Sequence, residues 1–480
     1  MGAVGNGIVN DAKSIQKAID AAEAGVLTTI YFPAGTYKIG SYVKTVNYLE
    51  NYCLLLRSNL QIKGEGKSTI IKLADHLFDV ADVNANAHLF YGSKVKNISF
   101  SSLNINMNGS NNLVPKNIIK NGAAIFMISS EQLLLEDLEI YNSAGTNMLN
   151  IMGIGHGLTI KNSSFINGGN YVGSSKLINT HQIDFSFIYS EWDNTHISDV
   201  NIIQENVDLG LGDYSGGVEL HGSNSSLRNS TIKGCFPAVY ISSTMKSMNN
   251  VSIVNNKMID CVEGVSFWLQ FPVSDVCINN NLIKLTAQRS KLSNISIGIK
   301  VPNGNETAYS KELANAAPIK KLSICGNVIE AEAMDNLSAG MSLHSINESF
   351  IANNSMKGMN YAGISLMGSK WGSKNITVEK NSFIDFTGSS NTDIVSAYAV
   401  VTDTYTPSQK NTPGLKNIIF KNNSFLNNGI VNNMAAANKK QKGKFLGVFI
   451  ALPKTMMGQI KFKENKFLNK EETISRIETN

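Results

Sequence analysis

The chain has 480 residues, 42% of them hydrophobic and only 16% charged, with 39 Gly against 9 Pro, a balance that excludes a disordered tail protein and a coiled coil. Its formal net charge of +5 is scattered over isolated Lys residues without a basic block, too weak a field to argue for nucleic acid. Five cysteines with no close CxxC pair argue against a disulfide framework and a zinc site, and no apolar run approaches the roughly 20 residues that cross a bilayer.

The first forty residues differ from the rest. DAKSIQKAIDAA carries Ile15, Ala18, Ile19 and Ala22 at the spacing of one helical face, and LTTIYFPAGTYKI reads as strand and turn. Residues 1–40 are therefore expected to cap an open β structure, whose first layer would otherwise expose its core and an unpaired strand edge. Met1 is followed at once by GAVGNGIVN, without the basic-then-apolar pattern of a secretory signal.

Behind the cap one phrase recurs: an apolar anchor, then a second apolar residue five positions on, with Asn or Ser between. It reads LTIKNSSF, VSIVNNKM, VCINNNLI, ITVEKNSF, IIFKNNSF and IKFKENKF. The anchors are Phe100, Leu135, Ile160, Ile197, Leu227, Ile253, Ile278, Ile324, Ile351, Val378, Phe420 and Phe462, and their shortest spacing is 25 residues. A period of that size, with short β-like runs and no helical periodicity, predicts the coils of a β-solenoid over 41–470, longer spacings being coils with loops, and a tail at 471–480. The column Asn256, Asn281, Asn327, Asn354, Asn381, Asn423 and Asn465 reads as an internal ladder at a tight bend, where Asn tolerates left-handed dihedrals and its amide bonds its counterpart above and below. That explains these residues better than glycosylation, although many match N-x-Ser/Thr.

The stretches GAVGNGIVNDAKSIQKAIDAA, YFPAGTYKI and LQIKGEGKSTIIKL resemble the N-terminal signature of the pectate-lyase-like right-handed β-helix superfamily, as found in bacteriophage tailspike depolymerases and related polysaccharide enzymes. The resemblance covers about seventy residues. It implies an all-β chain, a single-stranded right-handed parallel β-helix (a pectin-lyase-like solenoid) with an N-terminal capping helix. It also implies a polysaccharide substrate, but transfers no active-site residue, because the superfamily hosts hydrolases, lyases, epimerases and non-catalytic proteins.

Between anchors lies a second, strictly alternating strand: LNIM, IDFS, VELH, VYIS, VSFWLQ, IGIK, MSLH and ISLM. Stacked by pattern, these put Asn150, Asp184, Glu219, Tyr240 and Ser266 in one outward column and Met152, His221, Trp268, Lys300 and His344 in the next. Asp184 and Glu219 then occupy equivalent positions on adjacent coils, about 4.8 Å apart at the backbone, and like charges so close divide into an acid and an ionised partner. The segment between Gly168 and Asp193 leaves either IDFS or FIYS on the sheet. His221 shares the face of Glu219. Tyr240, Trp268, Lys300 and His344 suit a sugar groove, in which rings cover pyranose faces and cations hold hydroxyls or uronate carboxylates; burial of Trp268 under a loop is the competing expectation. A second acid cluster, Glu191 and Asp193 in SEWDNTH and Glu205, Asp208 and Asp213 in QENVDLGLGDYSGG, belongs to the same rungs. GHG at 155–157 matches a short polygalacturonase motif but precedes the acids, so a bend with a solvated His156 is the better reading. The competing reading of the acids is a solvated strand face.

Resemblance and residues together predict hydrolysis of a bacterial surface polysaccharide (capsule, exopolysaccharide or O-antigen) through a carboxylate pair drawn from Asp184, Glu219, Asp193, Asp208 and Asp213, with no cofactor and no metal. The alternatives are a β-eliminating lyase with His221 or Lys300 as base, a uronate epimerase, and a non-catalytic glycan-binding receptor protein. No nucleic-acid or membrane partner is expected. The tailspike likeness implies a virion or extracellular setting and a parallel homotrimer, although the chain carries no heptads.

Overall fold

Period-two alternation broken every few residues by Asn, Ser or Gly gives short strands, each of which hides its apolar side only when another lies directly above it. The computed structural model of the chain describes residues 2–23, 25–78, 82, 85–112, 122–143, 147–168, 186–205, 216–285, 295–302, 319–332, 337–368, 371–386, 398–402, 414–426, 449–451, 459–467 and 477–478. Among them the named strands pair in parallel, and an isolated antiparallel bridge joins Val43 to Tyr52. The chain divides into two units, 1–236 and 237–480.

Unit 1 opens with the strand Asn6–Asn10 and the helix Ala12–Asp20, which buries Ala12, Ile15 and Ile19. Asp11 starts the helix without capping it. Its carboxylate instead accepts the Val4 and Gly5 N–H groups at 2.7 and 3.2 Å, fixing the entering chain. The helix answers the edge problem directly: the Gln16 amide accepts from Leu55 N–H at 2.8 Å and donates to Leu55 C=O at 3.1 Å. Leu55 ends the strand Tyr52–Leu55, the first of its sheet, so a side chain supplies the partners a preceding strand would have given.

A coil beyond the cap has three short faces, as in Leu149–Met152, His156–Lys161 and Ser164–Ile166. The predicted anchors stack in register, Phe100 on Leu135, Ile160, Ile197 and Leu227, all at 0% exposure. In unit 2 the same column runs Ile253, Ile278, Ile324, Ile351, Val378, Phe420 and Phe462. Like falls on like: the Phe383 and Phe425 rings stack at 4.9 Å.

Three residues past each anchor of unit 2 the Asn ladder is continuous from Asn256 to Asn465, with Nδ2 to Oδ1 distances of 2.9–3.0 Å at every step. One expectation about it is corrected. The left-handed bend is not made by the ladder residue but by its predecessor, at Asn255, Asn280, Gly326, Asn353, Lys380, Asn422 and Glu464. The bend turns the chain, and the next side chain is thereby directed into the stack. Unit 1 uses Ser at the equivalent place: Ser163 and Ser230 accept the Leu138 and Val200 N–H groups at 3.1 and 3.2 Å. None of the five cysteines, all among the described residues, forms a disulfide, and among the described residues no helix is long and apolar enough to cross a membrane.

Candidate active site

The second sheet of unit 1 contains the strands His88–Ser93, Ile125–Ile128, Leu149–Met152, Ser186–Ser190 and Gly216–Leu220. Leu149, Ile151, Ile188, Val218 and Leu220 face the core at 0% exposure. The alternate positions form one outer column, Tyr91, Phe126, Asn150, Tyr189 and Glu219, each pairing with the next. This corrects the predicted register: FIYS rather than IDFS lies on the sheet, so Tyr189, not Asp184, stands opposite Glu219. Trp192 sets that choice. Fully buried, it donates from its indole to Met152 C=O at 3.1 Å, and it fits only because its neighbours lack side chains. A Cβ on Gly155 would lie 2.5 Å from the indole, and one on Gly222 1.9 Å from the Trp192 carbonyl oxygen.

Glu219 is 5% exposed and His221 2%. The Ser186 hydroxyl donates to Glu219 Oε2 at 3.0 Å, and His221 Nε2 lies 2.9 Å from Oε1. The imidazole also packs against Tyr189, with ring centroids 4.6 Å apart. Tyr189 in turn donates its hydroxyl to Glu191 Oε1 at 2.8 Å, while Gly153 N–H holds the other oxygen of Glu191. Carboxylate, imidazole, phenol and second carboxylate thus run contiguously across two rungs, an arrangement that can hold a polar ligand and move protons. Asp193 begins the strand Asp193–Ser198 next to this run and accepts Ser223 N–H at 2.7 Å. Met152, Asp193 and Ser223 are half-buried and mark where the cluster meets solvent.

Of the predicted site residues, the structure brings Glu219, His221, Glu191 and Asp193 to one region. Asp184, Asp208 and Asp213 lie outside the described residues. Glu205 makes a reciprocal pair with Asn167, accepting from Nδ2 at 3.3 Å and donating its N–H to Oδ1 at 2.9 Å, which is a turn-holding role. His156 is exposed at the start of its strand, opposite Asp193. Sequence reasoning missed Tyr189, whose signal was the FIYS alternative, and gave no role to Ser186, the last residue of IDFS, although the strand pattern put it in the outward column of His221.

In unit 2 the corresponding outer column is Tyr240, Ser266, Lys300, Ser342 and Ser365. Lys300 therefore stands opposite Ser266, two residues from the expected place beside Trp268, because Glu263 pairs with Ile297 and so sets Gly264 on Gly298. Trp268 pairs with Ser242 and is half-buried, as is Tyr240. Lys300 Nζ makes an ion pair at 2.9 Å with Glu263, a buried acid the pattern did not single out, and the Ser266 hydroxyl donates to the other Glu263 oxygen. His344 Nε2 lies 3.2 Å from the Ser342 hydroxyl, and burial, aided by the Lys300 charge, holds its pKa down to about 4, so it is neutral at pH 7. Among the described residues no three His, Cys, Asp or Glu side chains converge as metal ligands do.

Solved structures similar to this chain include a mutant tailspike protein of E. coli bacteriophage HK620 in complex with pentasaccharide, 16% identical, with a TM-score of 0.63 over 97% of this chain and 76% of that one. At this identity the likeness shows the fold, a right-handed parallel β-helix. Among curated proteins, mannuronan C5-epimerase AlgE2 of Azotobacter vinelandii is 36% identical over 111 residues, 23% of this chain and 10% of the epimerase. Alginate lyase 7 of the same organism is 37% identical over 75 residues, 15% of this chain and 8% of the lyase. The matched stretch is thus about a tenth of these relatives' own length. A family profile described as rhamnogalacturonase A/epimerase, pectate lyase-like, matches residues 1–266, more than half of the sequence and all of unit 1. The chain belongs to the rhamnogalacturonase A/epimerase, pectate-lyase-like family.

Proposed function

We propose that the Glu219 cluster of unit 1 is the catalytic centre of a polysaccharide depolymerase that hydrolyses glycosidic bonds of a bacterial surface polysaccharide. The observation that carries this reading is a buried carboxylate, Glu219, held by Ser186 and His221 on the outer face of a coil, with the Glu191 carboxylate joined to it through Tyr189 and His221. Hydrolysis needs one carboxyl to protonate the leaving oxygen and another to take a proton from water or attack the anomeric carbon. Glu219 supplies one of these. Glu191 and Asp193 are the described candidates for its partner, and Asp184, Asp208 and Asp213 remain candidates from sequence. Tyr240, Trp268, Lys300 and His344 are assigned to glycan binding in unit 2. A virion or extracellular setting and a homotrimeric assembly belong to the same reading, and rest on the tailspike likeness alone.

A second reading is favoured by one contact, the imidazole of His221 lying against Tyr189 and bonded to Glu219, and by the epimerase and lyase relatives. Here His221 or Tyr189 removes the C5 proton of a uronate. Expulsion of the C4 oxygen then leaves a double bond, whereas return of a proton to the opposite face inverts C5. The test is incubation of wild type and Glu219→Gln with mannuronan, rhamnogalacturonan and purified capsular and O-antigen polysaccharides. New reducing ends without ultraviolet absorbance, lost in the variant, support hydrolysis. Absorbance from an unsaturated product supports the lyase, and deuterium uptake from heavy water into an unshortened chain supports the epimerase. Binding without chemical change leaves the receptor protein.

A further inference from the structure

Asn150 lies in the outer column between Phe126 and Tyr189, one rung from Tyr189 and two from Glu219, or about 10 Å along the stack. Its neighbours in sequence, Leu149 and Ile151, are fully buried on the core side, so Asn150 shares the face of the catalytic cluster. It is only 2% exposed, yet its Oδ1 accepts no hydrogen bond from any described residue. A buried amide oxygen without a donor is a standing cost to the fold, and nearly all such groups in proteins are paired. The neighbouring polar groups on this face do not share that condition: Glu219 has Ser186 and His221, and Glu191 has Tyr189 and Gly153.

We propose that Asn150 is a specificity-determining residue whose Oδ1 accepts a hydroxyl hydrogen of the sugar unit bound beside the one at Glu219, the aromatic rings of Phe126 and Tyr189 bounding that position along the column. The inference rests on the Glu219 reading. A hydroxyl group is the donor that a neutral amide oxygen between aromatic side chains suits, since a carboxylate offers no hydrogen and an ammonium would lack a compensating charge at Asn150. A site that pairs a substrate hydroxyl rejects the analogue lacking it far more strongly than an apolar pocket does.

The test is Asn150→Leu, of similar size without the acceptor, compared with wild type and Glu219→Gln on whichever of mannuronan, rhamnogalacturonan and the capsular or O-antigen polysaccharides wild type turns over. The expected result is a melting temperature unchanged or raised, KM raised about tenfold or more, and kcat within about threefold. A lowered melting temperature overturns the inference, because the amide then serves the fold, and so does an unmoved KM. Where wild type turns over none of the polymers, the inference falls together with the reading it rests on. Turnover by wild type with KM unmoved in Asn150→Leu removes this inference alone.

Discussion

His221 Nε2 lies 2.9 Å from Glu219 Oε1, two residues apart on one outward face, and both side chains are almost wholly buried. Alternation along Gly216–Leu220 makes that contact, since Val218 and Leu220 go to the core and leave Glu219 and His221 outside. Glu219→Gln keeps the size while replacing the carboxyl with an amide that can neither give nor take the reacting proton. It is expected to lower kcat by about 10²–10⁴-fold with little change in melting temperature. Glu191→Gln, whose partner is the Tyr189 hydroxyl, is the companion measurement: a loss of similar size makes it the second carboxyl, and a minor loss leaves Asp193 as the described candidate.

Within the ladder of unit 2, Asn327 is fully buried and its side chain makes four hydrogen bonds. Its Oδ1 accepts from the Asn281 backbone and side chain, and its Nδ2 donates to Ile278 C=O and Asn354 Oδ1. Asn327→Ala removes all four, and although Asn354 Oδ1 keeps the Asn327 backbone N–H and Asn281 Nδ2 keeps Ile253 C=O, the buried Asn281 N–H loses its acceptor, which is expected to cost about 3–5 kcal/mol in denaturant unfolding. Asn417, which donates to Asn375 on the exposed side, has φ of +55°. Asn417→Gly keeps that backbone and is expected to change stability by less than about 1 kcal/mol. Equal costs at the two positions would mean that the buried ladder has no special role.

Those anchors and that ladder were legible in the sequence because each coil repeats its apolar positions over those of the last, so a period visible in text becomes contact in space. The site was harder to read. Strand pattern alone did not choose between IDFS and FIYS, since both alternate. The choice rests on Trp192, Gly155 and Gly222, which lie on three separate coils and share no local pattern. The same holds for Lys300, whose register follows Gly264 on Gly298 rather than the apolar residues beside it. Glu263 escaped notice because its burial is set by Lys300 and Ser266, one a coil away.

His88 is fully buried, accepts Ala123 N–H at Nδ1 at 3.1 Å, and places Nε2 2.8 Å from Leu49 C=O. That geometry admits only the neutral ring protonated at Nε2, and burial holds the pKa down from 6.5 to about 4. Between those values the unfolded chain binds a proton that the folded chain refuses, so stability falls as pH drops from 6.5 to 4 and is level above that window. His88 alone accounts for up to about 3 kcal/mol of the fall, and His344 acts in the same direction. Denaturant midpoints measured from pH 4 to pH 7 should decline toward acid, and His88→Gln should flatten the slope. An unchanged slope in the variant would show that His88 is not the group being charged.

Gly222 follows His221 directly, and a Cβ there would meet the Trp192 carbonyl oxygen at 1.9 Å, its carbonyl carbon at 2.4 Å and Asp193 N at 2.7 Å. These are backbone atoms, which no rotamer change can clear. Trp192 itself is pinned by its bond to Met152 and by total burial. An added methyl group must therefore push the turn after Gly216–Leu220 away from Trp192, taking His221 with it and loosening its 2.9 Å hydrogen bond to Glu219. Gly222→Ala is expected to lower the melting temperature and to reduce kcat as far as a direct His221→Ala substitution does, although Gly222 brings no functional group to the site. Should Gly222→Ala melt like wild type and keep its rate, the close approach of these two backbones would not be what holds Glu219 and His221 in register, and the pair would have to be positioned by Ser186 and Tyr189 alone.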